Sequence, residues 1–580
     1  MPFFVLFKYK IPSNCYMQQS WKFFEIPTLF GLTGIAYPGE LLAIMGSSGA
    51  GKTTLLNTLT FRNNGNIVSG QRAVNGIPIN STTLSSLSAY VQQDDLFIGT
   101  LTVREHLVFQ ALVRMDPQIP YSQRMIRVEE VIKELTLSKC QHTVIGTPGR
   151  IKGISGGEMK RLSFASEVLT NPPVMFCDEP TSGLDSFMAQ NVVTVLKSMA
   201  LKGKTIICTI HQPSSEVYAM FDKILIFTLN HLSTVSCYRL GASCPSNYNP
   251  ADYYIQLLAI VPTQEEACRD HVDMVCDSFE RSEQGIKLTA VTELKNRKKI
   301  HFFLAKAMLS SWGETWQGGV ANRSPYKASW WAQFEAVLWR SWLSIKKEPV
   351  LIKVRLLQTL MVAIMIGLIY FDQNLDQDGV MNINGALFIC ITNMTFQNVF
   401  AVISVFCSEL PVFMREHFNG MYRTDVYFLC KTMAEVPIFL AIPCIFTCVM
   451  YYMVGLNPKF SHFLAAGAII TLVSNVATSF GYFISCASSN VSVALSIGPP
   501  VIIPFLLFGG FFLNVGSVPS YFKWLSYLSW FKYGNEALLI NQWADIDTIA
   551  CTRANTTCPK NGHIVLETYN FSEVSSSLKI

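Results

Sequence analysis

The amino-acid sequence predicts an α/β domain followed by an all-α polytopic membrane domain, and three observations support this fold class. Of the 580 residues, 50% are hydrophobic and only 15% are charged, whereas about 25% charged residues is usual in soluble proteins. A glycine-rich loop near residue 50 follows an apolar run and precedes a helical pattern. Five apolar segments beyond residue 350 are long enough to be candidate membrane spans.

Charge and cysteine usage argue against other classes of protein. The net charge of +5 is small and spread along the chain, so it does not indicate a nucleic-acid-binding protein. The 16 cysteines show neither CxxC pairs nor the spacing of a zinc site. We expect no secretory signal, because the apolar run from Phe3 to Phe7 is too short and no cleavage site follows it.

The glycine-rich loop fits the phosphate-binding pattern G-x-x-x-x-G-K-[ST]. Its glycines let backbone N–H groups turn toward a phosphate, and the following helix adds a partial positive charge. Lys52 is expected to reach the β- and γ-phosphates of a nucleotide, and Thr53 to offer its hydroxyl to Mg²⁺. The predicted nucleotide-binding residues of the loop are Gly46, Ser47, Ser48, Gly49, Ala50, Gly51, Lys52, Thr53 and Thr54.

The segments on either side of the loop give weaker signals. Residues 1–30 are rich in aromatic residues and show no clear strand pattern. Trp21 or Phe24 is a candidate to stack on an adenine ring, and an incomplete N-terminus is the alternative. Further on, Thr102 and Glu105 predict a helix with a capping box at its start.

Two further motifs have residue types that suit phosphate chemistry. Gln93 ends a short predicted strand and is a candidate to ligate Mg²⁺ or to position water. Ser155, Gly156 and Gly157 open a predicted helix, which indicates either a second anion site or a simple capping turn.

Polar residues also follow two predicted buried strands. Asp178 and Glu179 come directly after the first, where Asp178 is expected to hold Mg²⁺ through water and Glu179 to orient or deprotonate the attacking water. A strand followed by an acidic turn is the simpler alternative. His211 follows the second strand, at the sheet edge where ligands gather, and is expected to contact the γ-phosphate.

The order and spacing of these motifs resemble those of the ATP-binding cassette family. The segments 156–161 (GGEMKR), 210–215 (IHQPSS) and 249–254 (NPADYY) are similar to its G subfamily, in which the cassette precedes the membrane domain. The resemblance implies one half-site made of Lys52, Thr53, Gln93, Asp178, Glu179 and His211. Residues 155–157 would then contact the γ-phosphate bound to a second, facing cassette. Residues 228–238 do not fit the family pattern, which leaves the last strand of the cassette unsupported.

The resemblance also implies cofactors, a partner and a cargo. ATP and Mg²⁺ are the expected cofactors, and a second G-subfamily half-transporter is the expected partner, in a heterodimer. Similarity to insect eye-pigment transporters implies tryptophan metabolites and guanine-type purines as cargo. The membrane would be that of a pigment granule or another vesicle, with the plasma membrane as an alternative. Two other functions stay open, namely sterol or lipid transport, and a truncated isoform that binds ATP and partners without transporting.

Changes in composition predict the domain boundaries, which are 1–260 for the cassette, 261–324 for a charged linker, 325–350 for an interfacial helix, 351–513 for the membrane domain and 514–580 for an extracytoplasmic region. The interfacial helix rests on apolar residues spaced three or four apart from Trp331 to Ile345. A soluble helix packed on the cassette is the alternative. The basic patch at 295–299 is expected to be a solvated part of the linker, with contact to anionic lipid as the alternative.

The predicted spans are 356–371, 383–406, 427–454, 460–486 and 491–513. Acidic residues follow the first span and basic residues follow the second, so the positive-inside rule places the cassette in the cytoplasm. The family has six spans, and residues 573–580 stop where a sixth would start. We therefore expect either a truncated form or a faulty gene model.

Several residues of the membrane domain are singled out by the resemblance. It implies a cavity lined by Asn393, Phe396, Ile503 and Leu506, closed by an apolar plug of Phe511 and Phe512. Independently of the resemblance, the prolines of the fifth span allow local unwinding, and Lys431 and Glu435 have the spacing of an ion pair.

The C-terminal region has the features of an extracytoplasmic segment. Asn555 and Asn570 lie in glycosylation sequons. Cys551 and Cys558 flank the first sequon, so a disulfide between them is plausible outside the cytoplasm.

Overall fold

The computed structural model divides the chain into two compact units, Met1–Ala332 and Gln333–Ile580, and each is described by itself. The described residues are 5–10, 16–19, 22–25, 32–47, 49–62, 69–75, 77–147, 151–228, 231–234, 244–245, 247–259, 265–282, 286, 326–513, 518–550 and 559–569.

The first unit is built on β-sheets. Its described strands are β1 (Val5–Lys10), β2 (Tyr16–Gln19), β3 (Lys22–Glu25), β4 (Leu32–Ala36), β5 (Leu41–Gly46), β6 (Ser69–Val74), β7 (Ile77–Pro78), β8 (Ser88–Val91), β9 (Val174–Cys177), β10 (Thr205–Thr209), β11 (Lys223–Thr228) and β12 (His231–Thr234). The central sheet has the order β12-β11-β5-β10-β9-β8, and a second sheet has the order β4-β1-β6-β7. Neighbours within the central sheet run parallel except β11 and β12. Strand β5 is buried along its whole length, as its continuous apolar sequence predicts for a parallel strand covered on both faces.

Helices surround this sheet. They are α1 (Lys52–Leu59), α2 (Ser81–Leu87), α3 (Val103–Arg114), α4 (Tyr121–Glu134), α5 (Gly156–Val168), α6 (Ser186–Leu201), α7 (Ser215–Ala219), α8 (Pro250–Leu257) and α9 (Glu265–Glu280). The predicted capping box of α3 is confirmed, because the Thr102 hydroxyl accepts from the Glu105 N–H while the Glu105 carboxylate accepts from the Thr102 N–H. Leu55 of α1, Phe176 of β9 and Ile207 of β10 belong to the core beneath the glycine-rich loop.

Two features of the strands differ from the sequence-based expectations. The prediction of no clear strand in residues 1–30 was wrong, because β1, β2 and β3 lie there. Strand β1 pairs with β4 on one side and β6 on the other, so its hydrogen bonds come from distant segments that a local pattern does not show. The last strand, which the family pattern left unsupported, is present as β12 and pairs antiparallel with β11.

The second unit is helical. Its described helices are α10 (Trp330–Lys347), α11 (Pro349–Ile369), α12 (Gln377–Phe418), α13 (Thr424–Val454), α14 (Phe460–Ala487), α15 (Val491–Leu507), α16 (Lys523–Leu528), α17 (Trp530–Trp543) and α18 (Gly562–Thr568). Helix α10 begins three residues before the first residue of this unit, Gln333. Among the described residues, α11 to α14 are long and apolar enough to cross a membrane, and α15 is a shorter apolar helix. Ile391, Phe446, Ile470 and Phe531 belong to their shared core.

The fifth apolar helix is shorter than the sequence predicts. It ends at Leu507 instead of Leu513, because the chain turns at Gly509 and Gly510, and Gly510 has a φ of +83°. The helix contains Pro499, Pro500 and Pro504.

Helix α10 forms close to where the sequence predicts it, and the face that it buries within the protein is not the apolar stripe that we expect at the membrane interface. Trp331 and Trp342 of that stripe are 73% and 53% exposed. The buried residues of the helix are Gln333, Ala336, Val337 and Arg340. This face includes Arg340, which forms a buried ion pair with Glu416 of α12. The basic patch at 295–299 lies outside the described residues.

Candidate nucleotide-binding site

The glycine-rich loop has the strand-loop-helix form that the sequence predicts. Strand β5 ends at Gly46, and α1 begins at Lys52. Gly49 and Gly51 have φ angles of +78° and +100°, a left-handed conformation that side chains disfavour. This conformation bends the chain sharply before the helix, so that the helix N-terminus faces the concave side of the loop.

Lys52 lies folded over this loop. Its ammonium donates to the carbonyl oxygens of Gly46 and Ser47, each at 3.0 Å. Burial lowers the pKa of Lys52, while the nearby Glu179 and Asp178 oppose the shift. The lysine is therefore a desolvated cation inside the loop, where a nucleotide phosphate would be a strong counter-ion.

Asp178 lies at the centre of a hydrogen-bond network at the carboxyl edge of the sheet. Its Oδ1 accepts from the Thr53 hydroxyl at 3.1 Å and from the Thr209 hydroxyl at 2.7 Å. Its Oδ2 lies 3.3 Å from the Tyr90 hydroxyl, whose shorter contact is with Asn57 Oδ1 at 2.9 Å. The carboxylate and the Thr53 hydroxyl are hard oxygen donors side by side, and these suit Mg²⁺.

Glu179 follows Asp178 in an unusual backbone conformation. Its φ is +42°, which is uncommon for a residue other than glycine. Its side chain accepts from Gln93 Nε2 at 2.9 Å. The structure therefore brings together Lys52, Thr53, Asp178, Glu179 and Gln93, as the sequence predicts.

His211 lies at the same edge of the sheet, just beyond β10, and its side chain is exposed. Among the described residues, no hydrogen bond joins its ring to Lys52, Asp178 or Glu179. The structure places it at the predicted edge without bringing it into the network.

Ser155, Gly156 and Gly157 form the N-terminus of α5. Ser155 caps the helix in a reciprocal pair with Glu158, which accepts from both the N–H and the hydroxyl of Ser155. Burial raises the pKa of Glu158, but these two hydrogen bonds, with a third from Cys140 and the nearby charge of Arg161, hold the pKa below its usual range. The capping turn is thus present, and the second anion site stays a prediction.

Lys160 connects this helix to the segment that contains Gln93. The ammonium of the buried Lys160 donates to the Gln93 carbonyl and pairs with Asp95 at 3.0 Å. Ser163, one turn further along α5, donates to the same carboxylate at 2.9 Å. Sequence reasoning missed Lys160 and Asp95, although an acid two residues after Gln93 was a visible signal.

Tyr90 and Thr209 were also missed. Both lie near the carboxyl ends of buried strands, β8 and β10, and a polar residue at that position is the signal that could have identified them.

The predicted cavity residues of the membrane unit are spread over α12 and α15. Phe396 stacks with Phe400 of the same helix, at 5.9 Å between ring centroids. Phe396 and Leu506 pack against the helical core, whereas Ile503 is exposed. A buried Nδ2 of Asn393 has no hydrogen-bond partner in the described part of the chain.

The predicted plug is an aromatic cluster. Phe511 stacks on Phe388 at 4.7 Å, and Phe512 meets the same ring edge-on at 5.5 Å. The plug residues are therefore attached to α12.

The predicted pair of Lys431 and Glu435 is present at 3.1 Å. Lys431 also pairs with Glu409 of α12 at 2.8 Å, which the sequence did not indicate. Tyr482 of α14 donates to Glu435, so this charged cluster links three helices.

Several predicted residues lie outside the part of the chain that the structure describes. These are Trp21, the side chain of Phe24, Ser48, Cys551, Cys558, Asn555 and Asn570.

The site and the helices define a class of protein, an ATPase cassette on the same chain as a multi-pass membrane domain. The family profile described as ABC transporter matches residues 29–182, and that described as ABC-2 type transporter matches residues 332–543. The chain belongs to the ABC transporter family, as a half-transporter of its G subfamily, and it hydrolyses ATP to drive transport.

Three relatives illustrate the similarity. Over 557 residues the chain is 58% identical to Protein white of Drosophila melanogaster, an alignment that covers 94% of this chain and 79% of that protein. It is 42% identical to the ABC transporter ATP-binding protein/permease wht-1 of Caenorhabditis elegans, which covers 94% of this chain and 83% of that protein. It is 36% identical to Protein scarlet of Drosophila melanogaster, with 93% and 81% covered.

Proposed function

We propose that this chain pairs with a second G-subfamily half-transporter, and that the two together move small organic molecules across a membrane at the expense of ATP. One observation carries the proposal. Thr53, Asp178, Glu179 and Gln93 form a connected site on a chain whose described part also has four long apolar helices.

Each residue of the site has a role that its geometry supports. Lys52 would exchange its two carbonyl contacts for the β- and γ-phosphates. Thr53 and Asp178, assisted by Gln93, would hold Mg²⁺, which would neutralise charge on the phosphates. Glu179 would orient a water molecule and accept its proton as the oxygen attacks the γ-phosphorus and ADP leaves. His211 would contact the γ-phosphate from the neighbouring strand end.

Two facing cassettes complete the site in this proposal. In the described part of the chain, no hydrogen bond joins Ser155, Gly156 or Gly157 to Lys52 or Asp178. Their helix N-terminus is therefore available to the γ-phosphate bound by a partner cassette. Closure on ATP and opening after hydrolysis would then drive the membrane helices. The cargo would enter the predicted cavity, to which Phe396 and Leu506 are assigned.

The cargo and location rest on similarity to Protein white. We propose eye-pigment precursors, namely tryptophan metabolites and guanine-type purines, moved across a pigment-granule or other vesicle membrane, with the cassette in the cytoplasm. The test is uptake of labelled kynurenine, guanine and cholesterol by vesicles that contain the full-length chain and its copurifying half-transporter. ATP-dependent uptake of cholesterol alone would favour a lipid transporter instead.

The hydrolytic role is tested with Glu179→Gln. General bases contribute about 10²- to 10⁴-fold, so the ATPase rate of the variant should fall by roughly that factor while a fluorescent ATP analogue still binds. Glu129→Gln is the matched control, because Glu129 forms a half-exposed surface pair with Arg104 and should leave the rate unchanged. Full ATPase activity of the Glu179 variant would refute the assignment.

A further inference from the structure

We propose that Thr209 is a positioning residue for ATP hydrolysis, because one buried hydroxyl holds both the Asp178 carboxylate and the Glu179 backbone. The inference rests on the proposed roles of those two acids and adds a residue to them. Thr209 is the last residue of β10, two positions before His211.

The sheet places Thr209 beside both acids. Strands β9 and β10 are parallel neighbours, and Cys177 is paired with Cys208, so the residues that follow each cysteine are adjacent. The Thr209 hydroxyl donates to Asp178 Oδ1 at 2.7 Å. Its oxygen also accepts from the Glu179 N–H at 2.8 Å.

These two bonds define the direction of the hydroxyl proton. A threonine hydroxyl has one proton to donate and lone pairs to accept with. The Glu179 N–H is itself a donor, so the hydroxyl proton must point to the carboxylate. Thr209 is fully buried, and no other orientation satisfies both neighbours.

The backbone bond matters because Glu179 is in a strained conformation. Its φ of +42° has to be maintained by its surroundings. The preceding N–H, that of Asp178, donates to the carbonyl of Val91 at 2.9 Å and so belongs to the sheet. The N–H of Glu179 instead donates to the Thr209 hydroxyl. This hydroxyl therefore fixes the backbone where the chain leaves the sheet, and with it the direction of the Glu179 carboxylate.

Of the three hydroxyls around the Asp178 carboxylate, that of Thr209 lies nearest to it. Thr53 shares Oδ1 at 3.1 Å, and Tyr90 is 3.3 Å from Oδ2. Without the Thr209 hydroxyl, Asp178 would keep its two longer contacts and could rotate about its side-chain bond.

The experiment compares Thr209→Val, which keeps the shape and removes the hydroxyl, with Thr209→Ser, which keeps the hydroxyl. Full-length protein is purified in detergent with its copurifying half-transporter, and ATPase rates are measured against ATP and against MgCl₂. The matched control is Thr205→Val, at the opposite end of the same buried strand.

We expect Thr209→Val to lower kcat by about 10- to 100-fold, a fraction of what a general base contributes. The MgCl₂ concentration for half-maximal rate should rise, while KM for ATP changes by less than about threefold, since Lys52 and the loop are untouched. Thr209→Ser and Thr205→Val should both stay within about threefold of the unaltered protein.

Three results would overturn the inference. They are a Thr209→Val variant with normal kcat and Mg²⁺ dependence, a serine variant impaired as much as the valine variant, or a Thr205→Val variant with the same loss. The proposed function has its own test, since it fails if Glu179→Gln keeps full activity. An inactive Glu179→Gln together with a fully active Thr209→Val refutes only the role of Thr209.

Discussion

The ion pair of Arg340 and Glu416 gives the sharpest prediction about the helical unit. Arg340 Nη1 donates to the two carboxylate oxygens of Glu416 at 2.8 and 2.7 Å. Tyr422 donates to the same carboxylate and accepts from Arg340 Nη2 at 3.2 Å. The two charged side chains are 3% and 2% exposed. Removal of one partner would leave the other charge buried without compensation.

The Glu416→Gln variant removes the negative charge and keeps the shape. Breaking a buried pair in this way costs about 3–5 kcal/mol. For a unit of this size, about 2–4 °C of melting temperature is lost per kcal/mol, so a decrease of roughly 6–20 °C is expected. The assay is thermal unfolding of the detergent-solubilised protein, followed by its intrinsic fluorescence.

Two comparison variants distinguish the effect of an unpaired buried charge from a nonspecific loss of stability. Asp425→Asn breaks the exposed pair with Arg423, whose side chains are 54% and 51% exposed, and should cost less than about 1 kcal/mol. The double variant Arg340→Met with Glu416→Leu removes both charges and should recover much of the loss. An unchanged melting temperature for Glu416→Gln, or a double variant less stable than the single one, would refute the reasoning.

Three further predictions concern the stability of the cassette. The melting temperature of each variant is the measurement that checks them. Lys160→Met should destabilise it by about 2–4 kcal/mol and lower the ATPase rate, because the buried ammonium holds the Gln93 segment. Gly153→Ala should lower the free energy of unfolding by more than about 2 kcal/mol, because the new Cβ would lie 2.0 Å from a backbone oxygen. Gly203→Ala is the control: its φ is +90° but the space around it is open, so it should lower that free energy by about 1 kcal/mol. Burial lowers the pKa of Lys204 to about 8, so the folded protein bears a buried charge below that pH. Lys204→Met should therefore be more stable than the unaltered protein at pH 7, with the advantage shrinking as the pH rises from 8 toward 10.5.

Local spacing was enough to predict much of the fold and site. The loop around Lys52, the capping box at Thr102 and the long apolar helices all follow from residues a few positions apart, and the structure confirms them. Asp178 and Glu179 were found because a buried strand ends in two acids.

Contacts that depend on strand order or helix packing were not visible in one sequence. Thr209 meets Asp178 only because β10 lies beside β9 in the sheet. Strand β1 likewise gains its partners from two distant segments, and Glu409 reaches Lys431 across two helices. The tertiary partner, rather than local propensity, decides such features.

The three prolines of α15 have a consequence for what this helix offers to a molecule beside it. A proline ring has no N–H, so Pro499, Pro500 and Pro504 cannot donate to the carbonyls of Leu495, Ser496 and Pro500 one turn earlier. Lipid tails supply no donor at that depth. No proline N–H one turn later can pair with these three oxygens, so they depend on donors from outside the regular hydrogen-bond ladder of the helix.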